Sequence, residues 1–170
     1  EINGVFSSSG STCTFNMYGG KINVDNAENN TCSYQEAIWL PEKGCKVNIY
    51  AGTITGEYGI YMKEASSNSQ LNIYGGTITS TASDSSAVLV EKGEITVNIG
   101  GNAHIIGVDT FAVKFDVDAK ASKLNISGSP TIEVPYSNYV SIGTYTTINI
   151  EGTPEILGCV SCAPAPEYYN

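Results

Sequence analysis

Apolar and polar residues alternate along most of this chain in short bursts, each closed by glycine. Residues 71–79 show the pattern. Leu71 and Ile73 point one way, Asn72 and Tyr74 the other, Gly75 and Gly76 interrupt, and Thr77-Ile78-Thr79 resumes with Ile78 inward. Alternation with period two marks a strand with one buried face. The glycines permit the bend between strands. Residues 80–86 read as a loop, after which Val88 and Val90 point inward from a further strand. No segment carries a convincing helical period, so the chain reads as all-β.

The burst recurs. FNMYGGKI from Phe15, VNIYAGTI from Val47 and LNIYGGTI from Leu71 are close copies. VNIGGNAHI from Val97, LNISGSPTI from Leu124 and INIEGTPEI from Ile148 are looser ones. Each carries one asparagine in the same phase: Asn16, Asn48, Asn72, Asn98, Asn125 and Asn149. A second element lies about midway between copies: AIWL, GIYM, AVLV, AVKF and YVSI, starting at Ala37, Gly59, Ala87, Ala112 and Tyr139. One period therefore holds three short strands. Such a unit cannot bury its own apolar face and must stack on its neighbours. The expected fold is a single-stranded, right-handed parallel β-helix of about six rungs, the hand following the usual preference of parallel crossovers. Ile49, Ile73, Ile99, Ile126 and Ile150 should form one inward column. The coil should span residues 1–158, with 159–170 as a C-terminal tail or linker.

The string NIYGGTITG…GIYM…LNIYGGTIT resembles the right-handed parallel β-helix repeat proteins, whose coil is that of the pectate lyases. It is most similar to the GGTIT…GGIYV repeats of surface proteins from anaerobic gut Firmicutes. The resemblance covers roughly residues 13–158. It implies the coil strongly and function weakly, because such repeats serve adhesins, stalks, sugar-binding modules and polysaccharide-degrading enzymes alike.

Charge and composition narrow the partners. The chain has 8 cationic and 17 acidic residues, a net charge of −9, and every cation is a lysine. Without a basic patch or an arginine fork, nucleic acid is not expected as a partner. No apolar run approaches the ~18 residues of a membrane-spanning helix. The single histidine, His104, and scattered cysteines assemble no zinc set, and no cofactor is expected. Asp109, Asp116 and Asp118 are the carboxylates a small polysaccharide-active enzyme would draw on. They read first as a solvated acidic edge. Two Thr-x-Thr pairs, Thr53/Thr55 and Thr77/Thr79, stack on neighbouring rungs, but the other rungs do not continue them.

The five cysteines, in a chain rich in Ser, Thr and Asn, fit an extracellular or cell-surface protein. Cys13 and Cys45 share one repeat phase on adjacent rungs, within disulfide reach, so a Cys13–Cys45 bond is expected. Cys32 could compete for either partner. Cys159 and Cys162 form a CVSC without the helix that redox chemistry needs.

A coil converts each sequence phase into a vertical column. The outward phases give an amide column led by Asn16, Asn48 and Asn72, and beside it Tyr18, Tyr50 and Tyr74. The mid-repeat strands give Trp39 and Tyr61. Aromatic faces beside amides suit sugars, and the same columns also stabilise a sheet by themselves. The expected role is a non-catalytic extracellular carbohydrate-binding or adhesion module, part of a larger multidomain protein, with a neutral glycan or host surface ligand as partner. A structural stalk or protein-binding adhesin segment is the alternative. A small polysaccharide-active enzyme is the third.

Overall fold

The computed structural model describes residues 2–3, 6–7, 13–24, 35–40, 44–65, 68–109, 111–135, 139–141 and 146–161. All regular structure among them is β-strand, arranged as three parallel sheets that wind into a solenoid. The amide sheet has six strands, one from each repeat copy: Thr14–Met17, Lys46–Ile49, Gln70–Ile73, Thr96–Ile99, Lys123–Ile126 and Thr147–Ile150. The threonine sheet runs from Ile2–Asn3 through Lys21–Asn23, Thr53–Gly56, Thr77–Ser80, His104–Ile106 and Thr131–Glu133 to Glu155–Leu157. The aromatic sheet runs from Phe6–Ser7 through Glu36–Leu40, Tyr58–Met62, Ser86–Lys92, Phe111–Asp118 and Tyr139–Ser141 to Cys159–Ser161.

Two of the sheets thus carry seven strands where six rungs were expected. The difference is a partial turn, Ile2–Asn3 and Phe6–Ser7, that pairs ahead of the first amide strand. At the other end, pairing reaches Ser161, past residue 158, and residues 162–170 lie outside the described residues.

Register follows the repeat. Asn48 lies opposite Asn16 and Asn72, and each of the six asparagines faces its counterparts on the neighbouring turns. Side chains from all three sheets are buried over about four turns. Ile49, Ile73 and Ile99 are inaccessible and Ile126 nearly so, beside an Ile54–Ile78–Ile105–Ile132 column from the threonine sheet. The aromatic sheet adds Ile38 and Leu40, Ile60 and Met62, Val88 and Val90, and Val113 and Phe115. Each fully buried aliphatic side chain contributes roughly 1.5–3 kcal/mol.

Ile150 departs from expectation, with 52% of its surface exposed. Among the described residues its strand is the edge of the amide sheet, without the upper neighbour that covers every other member of the column.

The corner between the amide and threonine sheets is built on glycine. Gly20, Gly52, Gly76, Gly101, Gly128 and Gly152 all adopt positive φ, one per turn. Crowding adds to this backbone demand. A Cβ at Gly101 would lie 2.0 Å from the Tyr74 carbonyl oxygen, and one at Gly76 would lie 2.7 Å from that of Gly52. The corner also changes shape midway. In the first three turns the glycine follows the inward Met17, Ile49 or Ile73 by three residues. In the last three it follows Ile99, Ile126 or Ile150 by two.

Two substitutions separate core from surface. Ile73→Asp places a charge in the closed interior, costing several kcal/mol, comparable with total stability. It should abolish cooperative thermal unfolding monitored by circular dichroism. Tyr74→Ala on the outer face should retain the fold. A well-folded Ile73→Asp protein would contradict this core.

Candidate functional site

Three outward columns hold the residues that the sequence singled out, and each is arranged differently. The amide column is a continuous hydrogen-bonded ladder. Asn48 Nδ2 donates to Asn16 Oδ1, Asn72 to Asn48, Asn98 to Asn72, Asn125 to Asn98 and Asn149 to Asn125, at 2.7–2.8 Å. All five bonds point the same way along the coil. Asn72, in the middle, keeps only 9% of its surface exposed, while Asn16 and Asn149 at the ends are exposed. Each inner amide spends one N–H and its oxygen on its neighbours, and aligned amide bonds reinforce one another.

The tyrosine column stacks. Ring centroids of Tyr18 and Tyr50 lie 4.8 Å apart with planes within 5°, and Tyr50 and Tyr74 lie 5.2 Å apart at 20°. Tyr18 is 72% exposed, Tyr50 42% and Tyr74 46%. Both faces of Tyr50 are therefore occupied by neighbouring rings. The column turns its ring edges outward, together with the outer face of Tyr18. It stops at Tyr74 because Gly100 occupies the next position, its N–H donating to the Ile73 carbonyl at 2.8 Å.

The aromatic sheet differs again. Trp39 and Tyr61 face each other in register on its outer side, both half-buried, followed by buried Leu89 and then Lys114. The Tyr61 hydroxyl donates to Glu91, and its ring leans on Tyr58 at 5.4 Å and 34°. Lys114 lies over the Phe111 ring at 5.4 Å and pairs with Asp116 at 3.3 Å. Tyr58, Phe111 and Glu91 belong to this face without having been singled out from sequence. The phase of Tyr58 and Phe111 at the start of the mid-repeat strand could have placed them there. The Tyr61–Glu91 contact crosses turns between different phases, so no column argument reveals it.

Carboxylates crowd this face. Burial pushes the Glu36 carboxyl up from its ordinary value, backbone N–H bonds at Glu36 and Gln35 oppose the shift, and the Glu57 charge adds to it. Glu36 Oε2 is enclosed without a hydrogen-bond partner among the described residues. Tyr58, opposite Glu36 in register, is likewise raised, first by burial and then by Glu57, Glu36, Asp116 and Asp84.

The other candidates are dispersed. Asp118 pairs loosely with Lys120 at 3.9 Å, and His104 Nε2 lies 2.7 Å from Glu133 Oε1 on the threonine sheet. Thr53 and Thr55 lie opposite Thr77 and Thr79, and His104 and Ile106 take the next turn. Among the described residues no cluster of three or more His, Cys, Asp or Glu could hold a metal, and no helix is long and apolar enough to cross a membrane.

Cys13 and Cys45 do stand on neighbouring turns, with the Lys46 N–H donating to the Cys13 carbonyl at 2.8 Å. Their register agrees with the expected bond, for which the structure adds no further support. Cys45 is packed into the core and Cys13 half-buried. Cys32, Cys162 and the Cys159 side chain lie outside the described residues.

The chain matches no protein-family model, and comparisons with curated proteins and with solved structures likewise find no match.

A raised carboxyl pKa stabilises the fold only while the group is protonated. The contribution is full below the unfolded glutamate value and is lost as pH rises through the raised folded value. Glu36→Gln should therefore raise the melting temperature at pH 7. The gain should shrink towards zero as pH falls through the glutamate range. A loss of stability at neutral pH would show instead that the Glu36 charge is favourably held.

Proposed function

We propose that this solenoid is a non-catalytic extracellular module for carbohydrate binding or adhesion, carried within a larger multidomain protein, with a neutral glycan or another host surface ligand as partner. The observation that carries the reading is the Trp39–Tyr61 pair, in register on the outer side of the aromatic sheet. Tyr61 is held there by Glu91 and Tyr58. Rings oriented by neighbours bind with little loss of side-chain freedom, and their C–H-accepting faces suit the apolar side of a pyranose. Carboxylates beside the rings accept hydrogen bonds from sugar hydroxyls. The net charge of −9 disfavours uronates and sulfated glycans. The likeness of NIYGGTIT to the repeats of gut Firmicutes surface proteins agrees with this setting.

The tyrosine column is the lesser platform in this reading. Both ring faces of Tyr50 are spent on its neighbours, which leaves a sugar the end faces of the stack and the phenol edges. The inner amides Asn48 and Asn72 are similarly committed, whereas Asn16 at the end has its Nδ2 group to offer.

A stalk or protein-adhesin segment is the second reading, and the amide ladder favours it. A column that closes its own hydrogen bonds along the axis contributes rigidity without any ligand.

Titration of neutral oligosaccharides by calorimetry tests the proposal. Each ring contact is worth about 1 kcal/mol, so wild type should bind in the micromolar-to-millimolar range. Trp39→Ala should weaken binding roughly fivefold or more, and Tyr50→Ala should change it little. Equal binding by wild type and Trp39→Ala removes the aromatic sheet as the site. No glycan bound by wild type leaves the stalk reading.

A further inference from the structure

We propose that the Tyr18–Tyr50–Tyr74 stack is a site of oxidative cross-linking, at which a one-electron oxidant joins neighbouring turns of the coil through dityrosine bonds. Three observations meet at this column. The rings are parallel and in contact, with centroids 4.8 and 5.2 Å apart and planes within 5° and 20°. All three are open to solvent, so a peroxidase-type oxidant or a small radical carrier reaches the phenols. Each ring sits on a different turn, directly after a strand whose register is locked to the next by parallel pairing. Coupling therefore needs rotation about side-chain bonds only, and the partners are already together, which replaces a bimolecular encounter by an intramolecular one.

The chemistry balances with hydrogen peroxide as terminal oxidant. Each of two phenols loses one electron and one proton, giving two phenoxyl radicals, while one peroxide accepts both electrons and both protons and leaves as two waters. The radicals couple between ring carbons ortho to the oxygens, forming one C–C bond. Each coupled carbon then releases its hydrogen as a proton, and each oxygen regains one, restoring two aromatic phenols. No other atom is gained or lost.

The geometry also sets the pairing rule. Tyr50 lies between the other two and can couple with either, whereas Tyr18 and Tyr74 are two turns apart with Tyr50 in the way. A cross-link would staple adjacent turns on the outer surface without disturbing the core. This inference is independent of glycan binding, since it uses the ring contacts that make the column a poor sugar platform.

The tryptic map of the chain makes the test direct. Lysines at 21, 46 and 63 put Tyr18, Tyr50 and Tyr74 in three separate peptides. The folded protein is treated at high dilution with peroxidase and hydrogen peroxide, the monomer band is isolated, and its digest is analysed by mass spectrometry. Wild type should yield the Tyr50 peptide joined to the Tyr18 or the Tyr74 peptide, with loss of two hydrogens. Tyr50→Phe keeps a stacking ring, so its fold, checked by melting temperature, should be unchanged. Its cross-peptide yield should fall about tenfold or more, because the reactive phenol between the turns is gone. Tyr61→Phe should retain the wild-type yield. A wild-type monomer without these joined peptides, or an undiminished yield in Tyr50→Phe, overturns the proposal.

Discussion

Parallel pairing between successive turns is the constraint on which everything else in this molecule rests. Once each strand lies over its counterpart at the strand spacing, every side chain is placed beside the residue of the same repeat phase on the next turn, most often a near-copy of itself. The sequence must then be tolerable in self-contact at every position. Isoleucine on isoleucine closes the interior; asparagine on asparagine closes a ladder; tyrosine on tyrosine stacks; glycine on glycine allows a corner where a Cβ would meet the turn below. Charged residues do not stack this way. The lysines and carboxylates sit mainly at strand ends, and oppositely charged partners such as Lys114 and Asp116 meet along one strand.

This rule explains why so much of the fold was legible. The phase of the six asparagines set the register that the strands adopt, and alternation named the buried isoleucines. What phase cannot reveal is contact between unlike positions. Tyr61 reaching Glu91, and the enclosure of Glu36 against Tyr58, depend on how side chains turn at the sheet surface. Phase also cannot say whether two stacked groups bond. Asn48 and Asn72 satisfy the register and are joined, whereas for Cys13 and Cys45 the register alone supports a bond. Ile150 shows a third boundary: a position is buried only where a turn covers it.

The outward columns divide into those built of like residues and those built of unlike ones. The amide ladder and the tyrosine stack belong to the first kind, and their polar atoms and ring faces are consumed along the axis. The aromatic sheet belongs to the second: its column runs Trp39, Tyr61, Leu89, Lys114, unlike residues that cannot satisfy one another by repetition. Departure from the self-matching rule is where a coil of this kind has chemistry to spare, and for that reason the proposed ligand face lies there.

The claim that like-on-like contacts couple adjacent turns is most directly tested by a double-mutant cycle on Asn48 and Asn72. Each substitution to Ala breaks two ladder bonds, and the double substitution breaks three, because the bond between the two residues is shared. Unfolding free energies in urea should therefore show the double variant to be less destabilised than the sum of the singles, by about 0.5–1.5 kcal/mol. Additivity within about 0.3 kcal/mol would contradict the account, since it would mean that the ladder amides stabilise each turn separately and do not join one turn to the next.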